Sequence, residues 1–412
     1  MKKKKFILSM FVLLVGVVVI YHNYDKNNIL DDTESKVIKK ENTLSMMLET
    51  EAGSGKYEMT TRSDWPTDGY VFNSSLSRCE NGGELAWDDT NKKVIMSGNM
   101  SDKCYVYFDK SPILLADYVK SLYTGTQGEN GIYYHDASLT NGAGDNSYRY
   151  AGANPNNYVC FGSSASPCPT DNLCRIIGVF GNQVKLIKYD YATSALLGTD
   201  GDYQGTGTPN ASYYKGSLTT INTYYWNNST KKNTWSESLL NKTNLNTNFI
   251  NNIGTEWANK IATTTWKVGG NTYANIRDVI PSVAYQNEIV NPVTTNTTDN
   301  ATEYSAKIGL MYVSDYGFGA DPSAWTTTLY NYDGSVNGST IRSLNWMHMG
   351  YFEWTISRSA DISDIAFRVD NDGNVYNDYV DRYIAVRPSF NLESSITYVS
   401  GSGSASDPMV IN

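Results

Sequence analysis

The sequence predicts a strand-rich α+β protein held behind an N-terminal membrane helix. Three observations carry that reading. Met1 is followed by Lys2, Lys3, Lys4 and Lys5 and then by an uncharged run from Phe6 to Tyr21. Charged residues make up only 18% of the chain while aromatics reach 13%, mostly tyrosine, a balance that suits pleated surfaces. Short runs of β-branched and aromatic residues, punctuated by Gly, Asn and Asp, recur from about Trp65 to the C-terminus.

At a helical rise of about 1.5 Å per residue the apolar run reaches roughly 24 Å, short of the roughly 30 Å of a bilayer core. Snorkelling lysines and local thinning close that gap. A cleaved signal peptide competes, but Val18 to Tyr24 offers no pair of small residues for cleavage. An uncleaved signal anchor over residues 1–21 is therefore expected. The clustered lysines keep the N-terminus cytoplasmic, which makes this a single-pass cell-membrane protein with an extracellular C-terminal domain. The net charge of −9 excludes a nucleic-acid-binding class, since no basic patch outlives the first forty residues. Codon bias in an AT-rich genome competes as an account of the Asn and Tyr content.

Residues 22–61 read as a polar stalk, with the tract Leu44, Met46, Met47 and Leu48 as a short helix. Residues 62–110 read as a small β unit. ELAWD (84–88), KVIM (93–96) and KCYVYFD (103–109) alternate as a three-stranded meander, closed by a Cys79–Cys104 disulfide. Of the five cysteines, Cys160 and Cys168 bracket a short turn-rich loop and form the second expected pair. Cys174 opens the apolar run CRIIGVF and is expected buried and reduced.

Residues 111–154 read as a helix and loop connector, with Ser111 as N-cap and Pro112 at the first helical position. The remaining domain spans 155–412. It opens on the hairpin CRIIGVF/NQVKLIKYD around Gly181-Asn182, and Thr193 to Thr223 follows as a polar surface excursion. Leu239, Leu240, Phe249, Ile250, Ile253, Trp257 and Ile261 are spaced for two short amphipathic helices. IGLMYVSDYGFG (308–319) reads as a strand running into an aromatic loop. IAFRV and NVYN flank Asp370-Asn371-Asp372-Gly373, a hairpin turn rather than a calcium loop, since the sixth and twelfth positions from Asp370 are Val375 and Asp381. One sheet is expected to gather residues near 174–189, 308–313, 365–369, 374–378 and 383–388.

The C-terminal motif has a family likeness. Trp354-Thr355-Ile356-Ser357-Arg358-Ser359, then Gly373-Asn374-Val375, then Ala385-Val386-Arg387-Pro388-Ser389-Phe390 resemble a bacterial domain of unknown function, DUF6273. Residues 174–190 resemble its opening hairpin, so the resemblance covers roughly 155–412. Glu353 and Ala385 depart from it, where the family often has an aromatic and Gly. The domain is similar to formylglycine-generating enzymes and, more distantly, to C-type lectins, which implies a lectin-like fold for this region. Those oxidases use copper-holding cysteines late in the domain. No cysteine follows Cys174, so the resemblance implies no copper and no such chemistry here.

Catalytic patterns are sparse. The histidines are His22, His135 and His348, and no G-x-S-x-G turn, H-E-x-x-H, P-loop or dinucleotide fingerprint accompanies them. Neither metal nor cofactor is expected. Asp315, Asp321, Glu353 and Asp370 leave open an extracellular hydrolase that cleaves glycan or peptidoglycan with paired carboxylates. The leading expectation is a non-enzymatic, membrane-anchored ligand-binding or adhesion module, with a glycan or a surface protein as partner. Its candidate surface is Tyr316, Phe318, Trp325, Tyr351 and Phe352, while Trp354 is assigned to the core.

Overall fold

Two compact units divide the chain after Pro112, and the computed structural model describes residues 44–66, 68–292 and 301–412. In the first unit Cys104–Lys110 is the central strand. Leu44–Glu49 lies parallel to one of its edges, from Leu44 opposite Cys104 to Leu48 opposite Phe108. Tyr70–Phe72 and Arg78–Cys79 pair antiparallel along the other edge, and Tyr57–Met59 extends the sheet beyond Leu44–Glu49. Cys104, Val106 and Phe108 alternate inward and are fully buried, the period-two signature of a half-covered sheet.

The expected meander is corrected here. Gly83–Asp88 and Lys93–Gly98 form a hairpin of their own, because both hydrogen-bonding edges of Cys104–Lys110 are already taken. The hairpin joins by packing instead, with Trp87 edge-on to Phe108 at 5.5 Å. The Leu44 tract is likewise a strand and not a helix, so the unit reaches back into the stretch read as stalk. Cys79 lies directly opposite Cys104 and is bonded to it, as expected, with α-carbons 4.0 Å apart.

The second unit is built on a seven-stranded sheet. Its order is Ile308–Gly309, Ser389–Asn391, Gln183–Lys188, Leu173–Phe180, Ser147–Tyr150, Ile132–His135, with Tyr158–Cys160 also paired to Leu173–Phe180. The hairpin around Gly181-Asn182 forms as expected, with a bulge between Ile176 and Gly178. Leu173 to Val179 are all buried, which explains an apolar run without alternation. The Cys160–Cys168 bond closes beside this sheet, and Cys174 is free and buried within it.

Several boundaries move. Ile113–Leu114 pairs with Thr397–Tyr398, so the helix starts only at Leu115, without a side-chain cap, despite the Ser-Pro signal. Ile132–His135 and Ser147–Tyr150 are sheet strands, which makes the connector part of the domain. Tyr203–Gly207 pairs with Ile221–Tyr225, which in turn takes Tyr383–Ile384, so the polar excursion is partly strand. Glu353–Arg358, Ile365–Val369 and Val375–Tyr379 make a separate three-stranded sheet around the Asp370–Gly373 turn instead of joining the large one. The strand at 308 stops at Gly309, and Val313–Gly319 is a helix whose first turn is fixed by Asp315 Oδ2 accepting from Tyr312 N at 2.9 Å.

The expected class, a lectin-like domain behind a transmembrane helix, is corrected to a mixed α+β protein of mostly strands with small helices. Among the described residues no helix is long and apolar enough to cross a membrane. Even the helical run from Leu240 through Asn252 spans at most about 20 Å, and its residues are largely polar. The anchor expected over 1–21 and the stalk as far as residue 43 lie outside the described residues. The single-pass membrane placement, with its cytoplasmic N-terminus and extracellular C-terminal domain, is withdrawn because no helix among the described residues is long and apolar enough to cross a membrane.

Candidate functional site

The outer face of the small sheet carries a group of partly exposed aromatic and charged side chains. Strand alternation puts Arg368 directly opposite Tyr376, with Ala366 opposite Asp378. The Arg368 guanidinium lies 4.6 Å from the centre of the Phe352 ring and 5.8 Å from that of Tyr376. Asp378 accepts from its Nε at 3.1 Å, and Asp370 pairs with its Nη1. Arg277 continues the row. It donates to the Tyr376 hydroxyl at 3.2 Å and lies 5.4 Å from the Tyr330 ring, itself 5.5 Å from Tyr376. Phe352 is 36% exposed, so one end of this ladder of rings and guanidiniums is open to solvent.

Only part of the expected ligand surface lies here. Phe352 belongs to the face, and the half-buried Tyr351 touches it edge-on. Tyr316, Phe318 and Trp325 are core residues, at 0%, 1% and 1% exposure. The helix Val313–Gly319 turns Tyr316 and Phe318 inward, where the Tyr316 hydroxyl donates to Gly373 O, and Trp325, at the end of the short helix Pro322–Ala324, donates its Nε1 to Ala320 O. Trp354 is buried as expected, with its indole N–H on Tyr224 O. Arg277, Tyr330, Arg368 and Tyr376 were missed from sequence. Arg368 and Tyr376 were legible as facing positions of a predicted hairpin, whereas Arg277 and Tyr330 arrive from distant loops with no local signal.

The four carboxylates weighed for hydrolysis are already engaged. Asp315 is buried between Lys185 Nζ at 2.5 Å and Arg149 at 3.7 Å. Glu353 is buried against Arg387, Oε1 to Nε 2.8 Å. Burial alone would lower the Arg387 pKa, and the Glu353 carboxylate outweighs it. Asp321 caps its own short helix, accepting from Ser323 N at 3.0 Å, and Asp370 is tied to Arg368. Sequence reading did not single out Glu288. This fully buried side chain accepts from Ser314 N at 3.0 Å and from the Ser357 hydroxyl, and burial pushes its pKa up to about 7.

His135 is buried, with Nδ1 accepting from Ala143 N. His348 is buried too, with Nε2 on Asn371 O, and burial reinforced by nearby Lys215 holds its pKa down at about 3. His22 lies outside the described residues. A cavity of about 380 Å³ opens elsewhere on this unit between Leu122, Asn130, Asn154, Asn156 and Ser402. Compared with known proteins, the chain matches no family model, no curated protein and no solved structure.

Proposed function

We propose that the second unit is a non-enzymatic ligand-binding module that takes a glycan on the face formed by Phe352, Arg368, Tyr376 and Tyr330. The observation that carries this is the guanidinium of Arg368 lying beside two rings while pinned by Asp370 and Asp378. Rings offer flat apolar area at low entropic cost, and the fixed arginine and aspartates supply directed donors and acceptors for hydroxyl groups. The kinship with the DUF6273 domain is proposed on the same footing. Its support is that Trp354, Arg358 and Arg387 of the motif are all buried. The hydrolase reading draws less support, because Asp315, Glu353 and Asp370 each already face a cation.

A glycan array probed with the full chain tests the proposal. Binding is expected, with Tyr376→Ala and Phe352→Ala each weakening it about 2- to 10-fold at unchanged thermal stability. Retention of full binding in both variants would remove the face from consideration. Turnover of a fluorogenic glycan, lost on changing one of the carboxylates, would favour the hydrolase, and capture of a surface protein with no glycan bound would overturn the ligand class.

A further inference from the structure

A second cluster, buried in the same unit, has a geometry that an ordinary salt bridge does not need. Lys185 on the strand Gln183–Lys188 and Asp315 on the helix Val313–Gly319 are 130 residues apart in sequence, yet Nζ and Oδ2 lie 2.5 Å apart. The two side chains are 6% and 3% exposed. Around Nζ stand the rings of Tyr312 at 4.4 Å and Trp266 at 5.3 Å. Tyr312 N donates to the same Oδ2 at 2.9 Å and fixes the carboxyl, while Arg149 approaches the other oxygen, Oδ1, at 3.7 Å. Glu288 is held beside Asp315 by the backbone N–H of the adjacent Ser314, and it interacts electrostatically with both Lys185 and Asp315.

We propose that Lys185 and Asp315 condense into an intramolecular isopeptide bond, with Glu288 shuttling the proton. The uncharged amine Nζ attacks Cγ of the protonated Asp315 carboxyl, and the tetrahedral intermediate places its negative charge on Oδ1, facing Arg149. Glu288 takes the proton that nitrogen sheds and delivers it to Oδ2. Oδ2 leaves as water, carrying that proton and the carboxyl's own. One C–O bond breaks, one C–N bond forms, and no oxidant or reductant is consumed.

Four features favour this course. Burial lowers the Lys185 pKa, which feeds the amine form, and it raises Glu288 to about 7, where a carboxyl both gives and accepts protons near neutrality. The product amide is uncharged and relieves the desolvation of two buried ions. Arg149 is not orphaned when Asp315 loses its charge, because Asp145 already pairs with it at 2.6 Å. The fixed approach of the two groups supplies the high effective concentration that condensation in water requires.

The intact mass of the purified full chain, reduced and denatured, decides the matter. The expected mass lies about 18 Da, one water, below the sequence mass, and protease digestion yields a branched peptide joining the Lys185 and Asp315 segments. Lys185→Arg should show the full mass, and Glu288→Gln the full mass or a mixture that converts slowly. A natural chain of full sequence mass, with Lys185 in a linear peptide, would reduce the pair to a salt bridge and overturn the proposal, whatever the variants do. A Glu288→Gln protein as completely linked as the natural one would overturn the role of Glu288.

Discussion

The Arg387 guanidinium donates to Glu353 Oε1 at 2.8 Å, with the two side chains 1% and 2% exposed. A second donor of the same guanidinium, Nη2, reaches Met347 O at 2.5 Å. One buried cation thus ties the motif strand at 353 to the loop before it. Replacing only the acid, as in Glu353→Gln, leaves that cation without its counter-charge and is expected to cost about 3–5 kcal/mol. Denaturant unfolding of the full chain measures it. Adding Arg387→Met to Glu353→Gln should recover a large part, and a double variant weaker than the single one would show that the arginine's other bonds matter more than the ion pair.

Acid should loosen the second unit through its histidines. His348 has a folded pKa of about 3 against an ordinary 6.5, and burial with nearby Arg149 lowers His135 in the same direction. Between those two values the unfolded chain binds protons that the folded one refuses, so stability falls as pH falls. The slope is at most about 1.4 kcal/mol per pH unit for each histidine. Unfolding free energies measured from pH 7 to pH 4 should show this, with a shallower dependence in His348→Gln. An unchanged slope in that variant would assign the acid sensitivity elsewhere.

The two disulfides should differ in weight. Cys79 and Cys104 are 25 positions apart and close a unit with few other buried residues, whereas Cys160 and Cys168 are 8 apart beside a large sheet. Chain-entropy estimates put the first at about 3.5 kcal/mol and the second at about 2.5 kcal/mol. Limited proteolysis of Cys79→Ser/Cys104→Ser protein should cut within residues 44–110 well before the rest, while Cys160→Ser/Cys168→Ser protein keeps a resistant second unit. Equal resistance of the first unit with and without its bond would refute this.

Gly350 is a backbone requirement. Its φ is +88°, and an added Cβ would stand 2.0 Å from Tyr213 O. Gly350→Ala is expected to destabilise by several kcal/mol, on the order of the larger single-site effects, and to lower the thermal midpoint accordingly. A loss under about 1 kcal/mol would mean that the 213 loop yields easily.

Local chemistry was legible where it acted over few residues. The Gly181-Asn182 hairpin, the turn at Asp370–Gly373 and the pairing of Cys79 with Cys104 all follow from spacing and turn residues. Long-range competition was not legible. Ser111 and Pro112 are a sound helix start, yet Ile113–Leu114 bonds to a strand almost three hundred residues later. Alternation identified Cys104–Lys110 as a strand but could not say that Leu44–Glu49, rather than Lys93–Gly98, takes its edge. The site was misplaced for a related reason. A run such as SDYGFG looks the same whether its rings meet water or a core, and partners distant in sequence, Gly373 for Tyr316 and His135 for Phe318, decide for the core.

The meeting of Ile113–Leu114 with Thr397–Tyr398, reinforced by Tyr118 stacked on Tyr398 at 3.6 Å, joins the beginning of the second unit to its end. A ribosome delivers these partners in strict order. At roughly 5–20 residues per second the earlier strand waits about 15–60 s for the later one, so the nascent sheet stays unlatched through nearly all of its synthesis. The latch of this unit therefore closes only after residue 398 has been made. A message cut short anywhere before residue 397 yields a chain whose first helix has lost its latch.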